Sequence, residues 1–458
     1  MSTLPGGADP RGFAASLSKP LADLPHELAL MPLATTASTR EVVIRPPGSK
    51  SLTNRALLLG ALADGETTLT GCLLDADDAK VMIDALRTLG AGIDVHEPES
   101  GKNTVRVRGV AGRLKGGCEV NLKNAGTATR FLAGAACLAD APVVIDGNAR
   151  MRERPIAELL ELLRRVGVKT DELGAPGRVP IRVHPSRPRA GALEVGATQS
   201  SQYISALLLL APWTEPAGEG LTLRFAAPPT SHSYIDMTLA LLRATGLGEA
   251  GRDAGWREAR AGGKGLRGFS YRVEADASGA APFWGAGAVG RIPIRIDALP
   301  PDSLQGDAGF RPLPARILKG GTFDLTLMPD TAMVAAAVAC FASGPVTLEG
   351  LRTLRVKETD RLAALKNELT KVGAGVEIEA YTTPGGQRDE RLRVTPPTGG
   401  IGCSPNVPQV AFDTYDDHRM AMSLAIIALK RPNVVIRDPQ CVAKTYPGFW
   451  KDWAGLYR

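Results

Sequence analysis

Apolar positions recur along this chain in a fixed order, which predicts one α/β unit present in six copies. Each copy starts with an Ala/Leu-rich run that is apolar on nearly every side, and a β-branched segment follows after a short turn. A run that is apolar all round predicts a buried helix, and the β-branched segment predicts a strand. Run and segment lie at 52–63 and 67–71, 127–138 and 143–147, 201–211 and 221–224, 279–289 and 292–297, 331–342 and 346–350, and 418–429 and 434–438.

A second, amphipathic helix is predicted after the strand in four copies. Its apolar residues recur at three- and four-residue spacing, and a glycine at its end fits a left-handed C-cap. These helices lie at 79–90, 156–167, 234–246 and 359–373. Two Gly/Pro-rich stretches, 248–268 and 298–314, are predicted to be surface loops.

Six such units exceed a single hydrophobic core, and 458 residues allow two or three domains. We therefore expect an α/β fold of two domains, each with three repeated units of buried parallel helices and outer mixed sheets. The N-terminus of a helix carries partial positive charge and free N–H groups. If three buried helix starts converge in each domain, the domains offer facing surfaces that suit anions.

Composition favours small anionic partners. The hydrophobic content is 44% and the charged content 22%, as in ordinary soluble globular proteins. The net charge is +6 without a long Lys/Arg run, and aromatic residues make up only 5%. A nucleic-acid binder usually carries a basic stripe or stacking aromatics, so we expect no nucleic acid as a partner.

The cysteines and the N-terminal region favour a cytoplasmic protein. Six cysteines lie far apart without metal-ligand spacing, which predicts reduced thiols and no metal site. No apolar run reaches the roughly 18 residues of a membrane span. The first forty residues lack the layout of a signal peptide. Residues 1–21 are predicted to form a flexible extension.

Lysine, arginine, serine, asparagine and glutamine collect where the predicted helices start. Small residues around Gly126 let a ligand approach the backbone, and the arginines of 150–155 suit bidentate contacts to phosphate or carboxylate. Taken singly, most of these motifs are explained equally well or better by helix capping with surface cations. The exception is 416–420, where a histidine next to an arginine is an uncommon cap and favours function. The combination at several helix starts favours an anion site.

The segment 355–361 carries five charges in seven residues and precedes an apolar helical pattern. If it forms the first turns of a helix, Lys357 and Arg361 share one face and Glu358 meets Arg361. Two cations and a carboxylate would then suit an anionic substrate and a proton to be moved. The alternative is a solvated face with ordinary salt bridges. Further acid/base candidates are Asp330, His418 and the lysines.

In this order, the motifs resemble the 5-enolpyruvylshikimate-3-phosphate (EPSP) synthase family, that is, 3-phosphoshikimate 1-carboxyvinyltransferase, over residues 41–458. The matching segments are 47–55, 124–130, 150–155, 200–202, 329–333, 355–361, 416–420 and 444–447. The resemblance implies transfer of the enolpyruvyl group of phosphoenolpyruvate to the 5-hydroxyl of shikimate 3-phosphate. Phosphate leaves through a tetrahedral intermediate, in chorismate and aromatic amino-acid biosynthesis. The family needs no metal or organic cofactor and is the target of glyphosate.

The resemblance also implies the domain layout. Residues 22–47 with 275–458 form a discontinuous domain on the phosphoenolpyruvate side, with copies four to six. Residues 48–274 form an inserted domain on the shikimate 3-phosphate side, with copies one to three. Helix starts of both domains face the cleft between them, which is expected to close on the shikimate substrate. We expect a monomer with no membrane partner.

The site residues implied by the resemblance fall into three sets. The catalytic set is Lys50, Asp330, Glu358 and His418. The phosphoenolpyruvate set is Lys50, Asn124, Gly126, Arg150, Gln202, Arg361, Arg419 and Lys444. The shikimate 3-phosphate set is Lys50, Ser51, Arg55, Ser200, Ser201, Gln202, Ser231, Tyr234, Asp330 and Lys357. Glu358 carries the methylene proton, and Asp330 accepts the 5-hydroxyl proton or anchors the shikimate hydroxyls.

This chain departs from the family pattern at three places. The fourth copy differs over 274–284, Thr353-Leu354 stand where many relatives have Asn-Trp, and Phe131 replaces a common proline. Three alternatives stay open. One is a UDP-N-acetylglucosamine enolpyruvyl transferase, although no cysteine matches its loop motif and Cys118 is the nearest candidate. The others are a protein like RNA 3′-terminal phosphate cyclase and a non-catalytic anion-binding module.

Overall fold

The computed structural model describes residues 9–33, 40–96, 103–383, 386–404 and 406–458. Contacts divide the chain into two compact units. The inserted unit is Gly48–Glu274, and the flanking unit joins Met1–Pro47 with Ala275–Arg458. The assignment of each unit to one substrate stays a prediction.

Helices and strands alternate along the described residues. The helices are α1 (Pro10–Leu17), α2 (Lys50–Leu62), α3 (Asp77–Thr88), α4 (Gly126–Ala135), α5 (Ala149–Glu153), α6 (Ala157–Arg165), α7 (Ser201–Leu210), α8 (Ser233–Ala244), α9 (Ala277–Gly290), α10 (Leu313–Ile317), α11 (Ala332–Ala339), α12 (Arg361–Thr370), α13 (His418–Ala428) and α14 (Phe449–Trp453). The strands are β1 (Glu27–Leu30), β2 (Val42–Ile44), β3 (Glu66–Thr70), β4 (Gly92–His96), β5 (Thr104–Arg108), β6 (Cys118–Asn121), β7 (Val143–Asp146), β8 (Thr170–Glu172), β9 (Ile181–Val183), β10 (Gly191–Val195), β11 (Leu221–Phe225), β12 (Gly251–Arg252), β13 (Glu258–Ala261), β14 (Ser270–Arg272), β15 (Ile294–Ile296), β16 (Gly321–Asp324), β17 (Val346–Glu349), β18 (Gly375–Thr382), β19 (Arg388–Thr395), β20 (Val410–Phe412) and β21 (Val434–Arg437).

The inserted unit contains the same four-stranded sheet three times. In the second and third sheets, a parallel pair flanks a buried helix and an antiparallel pair completes the sheet, giving β6-β7-β9-β8 and β10-β11-β13-β12. The first sheet has the order β14-β3-β5-β4. There β14, from the end of the unit, supplies the strand that precedes the helix in the other copies. Helices α2, α4 and α7 are buried along nearly their whole length, as their all-round apolar sequence predicts.

The flanking unit repeats the arrangement with shorter sheets. The order β16-β17-β19-β18 is that of the full sheet, while β1-β21-β20 has three strands and β15-β2 has two. Buried helices α9, α11 and α13 supply much of the hydrophobic core of this unit. The predicted fold is confirmed, including the fourth copy, whose divergent sequence still forms α9 after an N-cap by Asp276.

The expected flexible extension is wrong for residues 10–17, which form α1. The Asp9 carboxylate caps this helix by accepting from the N–H groups of Arg11 and Gly12, both at 2.9 Å. Leu17 is fully buried in the core of the flanking unit, and the Phe13 ring meets the Tyr457 ring edge-on at 4.9 Å. Helix α1 has only eight residues, which gives too few apolar positions for a helical period to be visible in the sequence. Residues 1–8 lie outside the described residues.

The predicted surface loop at 248–268 is also wrong in its middle part. It contains β12 and β13, which complete the third sheet of the inserted unit. Alternation in these strands extends over two and four residues, too short a signal beside so many glycines. The second stretch, 298–314, holds a short 3₁₀ turn at Gly306–Phe310 and the start of α10. In the described ranges, every helix is too short or too polar to cross a membrane.

Candidate active site

The charged segment 355–361 is not helical, which corrects the prediction of helix turns there. Arg352–Val356 form a 3₁₀ turn, Lys357 is extended, and α12 begins only at Arg361. The Asp360 carboxylate accepts from the Ala363 N–H at 3.1 Å and caps α12. An aspartate cap sets the first turn of a helix, so the charges before it belong to a loop.

Asp330 brings the predicted charges together by another route. It lies in the 3₁₀ turn Pro329–Thr331 before α11. Its Oδ1 accepts from Arg361 Nη1 at 2.9 Å and lies 3.0 Å from Lys357 Nζ, and Arg419 Nη2 lies 3.5 Å from its Oδ2. Burial alone would raise the pKa of Asp330, but the charges of Lys357, Arg419 and Arg361 outweigh it and hold that pKa well below its ordinary value. Asp330 is therefore ionised and a weak base in this arrangement.

Arg361 is buried with 1% of its side chain exposed, and it binds two further carboxylates. Its Nε donates to Asp417 Oδ2 at 2.8 Å, and its Nη2 donates to Glu358 Oε2 at 3.0 Å. Asp417, for which the sequence predicts no role, is fully buried and caps α13 by accepting from the Arg419 N–H at 2.9 Å. An aspartate directly before an apolar run was the signal that could have found it.

Glu358 lies between two cations of the flanking unit. One of its oxygens accepts from Arg361, and the other is 3.5 Å from Lys444 Nζ. His418 is fully buried beside this group, with Nδ1 3.8 Å from Asp417 Oδ1. We call Asp330, Lys357, Glu358, Arg361, Asp417, Arg419 and Lys444 the Asp330 cluster. Its four cations face three carboxylates, which leaves a positive surplus for an anion.

A second buried carboxyl group stands behind this cluster. Asp307 accepts a short hydrogen bond from the Ser278 hydroxyl at the start of α9. Burial raises the pKa of Asp307 to about 6; the charge of Asp330 adds to this rise and that of Arg419 opposes it. The nearby Gln305 side chain donates to the Ala275 carbonyl at 2.7 Å. Sequence reasoning missed both residues, because they lie in the stretch interpreted as a loop.

In the inserted unit, Arg55 is buried among uncharged groups. Its guanidinium donates to Thr238 Oγ1 at 2.8 Å, Ser51 O at 2.8 Å, Tyr234 O at 3.1 Å and Ser205 Oγ at 3.3 Å. Burial lowers the pKa of Arg55 to about 9. A buried cation held by neutral dipoles is favoured further by an anion nearby.

Phe131, the residue that replaces the family proline, packs on this arginine. Its ring centroid lies 4.9 Å from Arg55 Cζ, within cation–π distance. Helix α4 begins at Gly126 and continues regularly through Phe131. The altered residue therefore serves a contact between α4 and α2.

The start of α4 is shaped by Arg154, which the sequence alone does not distinguish from the other arginines of its motif. Its Nη1 donates to the carbonyl and the side-chain oxygen of Asn124, both at 3.3 Å. A Cβ added at Gly126 would lie 2.8 Å from the Arg154 guanidinium. Arg150, which was predicted instead, pairs with Glu153 at 2.7 Å.

Gln202 links the starts of α4 and α7. Its amide nitrogen donates to Thr127 Oγ1 at 3.0 Å, and its oxygen accepts from Arg130 Nη1 at 2.5 Å. Ser200 caps α7 by accepting from the Gln202 N–H at 3.3 Å. Ser201 is buried beside it. These contacts fix predicted site residues of two helices relative to each other.

Lys50 and Ser231 complete the predicted set of the inserted unit. Lys50 Nζ lies 3.1 Å from Asp78 Oδ2, at the start of α3. Ser231 is buried and has a positive φ of 50° in the turn before α8, while Tyr234 is half-buried in the first turn of that helix. Among the described residues, no group of three His, Cys, Asp or Glu side chains is placed to hold a metal ion.

Comparison with known proteins decides the family. Residues 35–313 and 312–453 match the family described as EPSP synthase (3-phosphoshikimate 1-carboxyvinyltransferase). The chain belongs to the EPSP synthase family. The predicted membership is thereby confirmed, and members of the EPSP synthase family transfer an enolpyruvyl group from phosphoenolpyruvate to shikimate 3-phosphate.

Curated relatives of the EPSP synthase family agree over nearly their full length. A 3-phosphoshikimate 1-carboxyvinyltransferase of Thiobacillus denitrificans is 40% identical, covering 91% of this chain and 96% of the relative. One of Ralstonia pickettii is 38% identical, covering 94% and 99%. One of Yersinia pseudotuberculosis is 36% identical, covering 94% and 99%.

Solved structures share the fold. The EPSP synthase of Acinetobacter baumannii superposes with a TM-score of 0.71 at 23% identity, covering 94% of this chain and 98% of that one. The enolpyruvyl transferase NikO of Streptomyces tendae superposes with a TM-score of 0.65 at 18% identity, covering 93% of this chain and 95% of NikO. The two comparisons place the fold of this EPSP synthase family member among the enolpyruvyl transferases.

Proposed function

We propose that this family member forms the new bond at the 5-hydroxyl of shikimate 3-phosphate and releases phosphate through a tetrahedral intermediate. The Asp330 cluster carries this proposal. It supplies surplus positive charge for a small anion and carboxylates for proton transfer, all in a buried setting.

We propose Glu358 as the group that protonates the methylene carbon of phosphoenolpyruvate. The 5-hydroxyl oxygen then bonds to the neighbouring carbon and gives its proton to water, which yields the tetrahedral intermediate. The methyl group returns a proton to Glu358 as the carbon–oxygen bond to phosphate breaks. The position of Glu358 between Arg361 and Lys444 supports this role, because both cations also suit the anionic groups of the substrate.

Asp330 has two predicted roles, and its surroundings favour one of them. Three cations hold its pKa well below the ordinary value, so it accepts a proton poorly. An ionised carboxylate still accepts hydrogen bonds from hydroxyl groups. We therefore propose that Asp330 anchors the shikimate hydroxyls together with Lys357, and that the 5-hydroxyl proton leaves by another route.

The phosphoenolpyruvate set remains a proposal in full. From the flanking unit it takes Arg361, Arg419 and Lys444, with His418 nearby. From the inserted unit it takes Lys50, Asn124, Gly126, Arg150 and Gln202. The guanidinium of Arg361 binds three carboxylates of its own unit, so Arg419 and Lys444 are better placed for direct contact.

The shikimate 3-phosphate set is proposed to act around Arg55 in the inserted unit. Uncharged partners surround this buried guanidinium, and an anion at Ser51 and Tyr234 would balance its charge. The remaining members are Lys50, Ser200, Ser201, Gln202 and Ser231. Monomeric state, cytoplasmic location, independence of cofactors and the absence of a nucleic-acid partner stay predictions.

The testing experiment measures phosphate release with phosphoenolpyruvate and one of two acceptors. Shikimate 3-phosphate is expected to support turnover, and UDP-N-acetylglucosamine is expected to give none. Release with the second acceptor alone would assign the chain to the alternative enolpyruvyl transfer. Release with neither would contradict the proposed reaction.

A further inference from the structure

A hairpin of the inserted unit covers the start of α8. The hairpin joins β12 to β13 through a turn that the Asp253 carboxylate stabilises. This carboxylate accepts from the Gly255 N–H at 3.1 Å and from the Glu258 N–H at 2.8 Å. Trp256 lies in this turn, 4% exposed, with a φ of 55°. The left-handed region is strained for a bulky residue, so the surroundings of Trp256 must hold it there.

The side chains of Trp256, His232, Arg252 and Asp236 form a closed ring of contacts. The His232 ring centroid lies 4.7 Å from that of Trp256, and Arg252 Cζ lies 4.7 Å from the Trp256 centroid. Asp236 joins the two ends, since its Oδ1 accepts from Arg252 Nε at 2.9 Å and its Oδ2 lies 3.7 Å from His232 Nδ1. We call Arg252, Trp256, His232 and Asp236 the Trp256 cluster. It fastens the hairpin to the first turn of α8.

The start of α8 also holds two residues proposed to bind shikimate 3-phosphate, Ser231 and Tyr234. Ser231 precedes His232 and has its own positive φ of 50°. The His232 carbonyl accepts from the N–H groups of Ile235 and Asp236, both at 2.9 Å, and so starts the helix. The Tyr234 carbonyl accepts from Arg55 at 3.1 Å. A shift of His232 would therefore move Ser231, Tyr234 and the support of Arg55 together.

We infer that Trp256 is a positioning residue for shikimate 3-phosphate. The Trp256 indole, which also packs against Arg252, holds the His232 side chain and thereby sets the conformation of Ser231 and Tyr234. This inference rests on the proposed function. It makes the β12–β13 hairpin part of the substrate site, although none of its residues belongs to the family motifs.

The test is steady-state kinetics of the full chain with Trp256→Ala, compared with the wild type. The KM for shikimate 3-phosphate is expected to rise about tenfold, which is the loss of roughly one good aromatic contact. The KM for phosphoenolpyruvate and kcat are expected to stay within about twofold, because the change is confined to the α8 start. Trp256→Phe keeps an aromatic face and is expected to restore most of the affinity.

Trp213→Ala is the matched control. Trp213 belongs to the same unit but lies beside Gly112 and Gly265 and is not one of the residues in the ring of contacts around His232. It is expected to leave the KM for shikimate 3-phosphate as in the wild type. An equal rise for Trp213→Ala, or an equal rise of both KM values in Trp256→Ala, would show a merely structural role and overturn the inference.

Arg252→Gln keeps the inference testable if Trp256→Ala does not fold. Arg252 is an exposed residue with 30% of its side chain accessible, so its loss opens the Trp256 cluster without emptying the core. It is expected to raise the KM for shikimate 3-phosphate about threefold, and an unchanged value would overturn the inference. A wild-type chain without turnover would instead refute the proposed function, and the inference with it.

Discussion

At the scale of the residue, Arg361 joins three carboxylates that come from different segments of the flanking unit. Asp330 precedes α11, Asp417 precedes α13, and Glu358 lies in the loop before α12. Removing one partner of a buried ion pair costs about 3–5 kcal/mol, because the other charge stays uncompensated. Arg361 therefore organises the cluster, and we expect any contribution it makes to substrate binding to act largely through its neighbours.

Glu358→Gln is expected to lower kcat by about 10²–10⁴-fold while ligand binding is kept. Glutamine has the shape of glutamate and its oxygen still accepts from Arg361, but it carries no proton for transfer. Phosphate release gives kcat, and calorimetric titration gives binding of each substrate.

The matched control is Glu390→Gln. Glu390 pairs with Arg355 outside the Asp330 cluster, so the same loss of charge is expected to leave turnover unchanged. Undiminished turnover in Glu358→Gln would assign the proton transfer to another group, with a lysine as the first candidate.

Asp307→Asn is expected to change how stability depends on pH. The pKa of Asp307 is raised from 3.8 to about 6 in the folded chain, because burial disfavours the charged form. The folded state thus prefers the protonated acid, and this stabilisation is complete below about pH 4 and is lost as pH rises through 6. Asparagine does not ionise, so its variant does not lose this stabilisation. Between pH 4 and 7 the free energy of unfolding of the variant therefore rises relative to that of the wild type, by at most about 3 kcal/mol.

Urea unfolding at several pH values measures this difference. The attraction of Arg419 for the ionised form is already contained in the net rise of the pKa, so it does not reverse the sign. Asp302→Asn, at an exposed position of the same segment, is expected to follow the wild type at every pH. A difference between Asp307→Asn and the wild type that is independent of pH would contradict the prediction.

At the scale of the element, the start of α4 depends on the absence of a side chain at Gly126. Gly126→Ala would place a Cβ 2.8 Å from the Arg154 guanidinium, which must then move away from Asn124. Overpacking of this kind costs about 1–3 kcal/mol, so the KM for phosphoenolpyruvate is expected to rise about tenfold.

Gly134→Ala is the control within the same helix. Its added Cβ would have an ordinary contact of 3.4 Å to Ala206 O, and alanine favours a helix interior. Steady-state kinetics of both variants should show the rise in Gly126→Ala alone. A similar KM in the two would show that the space at Gly126 does not matter for phosphoenolpyruvate.

The elements that could be predicted are those whose signal is local and long. The runs of α2, α7 and α13 are apolar on every side, and the structure begins them within two residues of the predicted start. Helix α12 begins at Arg361 because a single capping aspartate outweighs the charges before it. Strands β12 and β13 are too short for alternation to be visible.

Site residues divide in the same way. Asp330 and Glu358 lie just before α11 and α12 and belong to recognisable motifs, so the sequence points to them. Arg154 and Trp256 act through contacts 30 and 24 residues away along the chain, with Asn124 and His232. No pattern in the linear sequence predicts such a contact, because the contact depends on how the folded sheets bring distant turns together.

At the scale of the whole molecule, the inserted unit begins and ends at one place. The Ser49 N–H donates to the Glu274 carbonyl at 2.8 Å, and β14 pairs with β3. Residues 48–274 contain the three complete sheets of this unit. We therefore expect this segment to fold when it is produced alone, since its ends meet without the rest of the chain.

A cooperative urea transition followed by circular dichroism would support this expectation. Residues 48–265, which lack β14, serve as the control. They leave the edge of β3 unpaired, so they are expected to unfold at lower urea concentration. A non-cooperative transition for 48–274 would show that the unit requires the flanking chain.

The parallel pairing of β3 with β14 has a consequence for synthesis on the ribosome. The two strands lie about 200 residues apart, whereas β6 pairs with β7, which follows about 25 residues later. The second and third sheets can therefore close while the chain emerges. Strand β3 can pair early with β5 on one edge, but its other edge waits until residues 270–272 have left the exit tunnel. Strand β1 waits longer still, because its partner β21 ends at residue 437. Some edges of the earliest strands are therefore among the last to be paired, and during that interval they stay open to pairing with other chains.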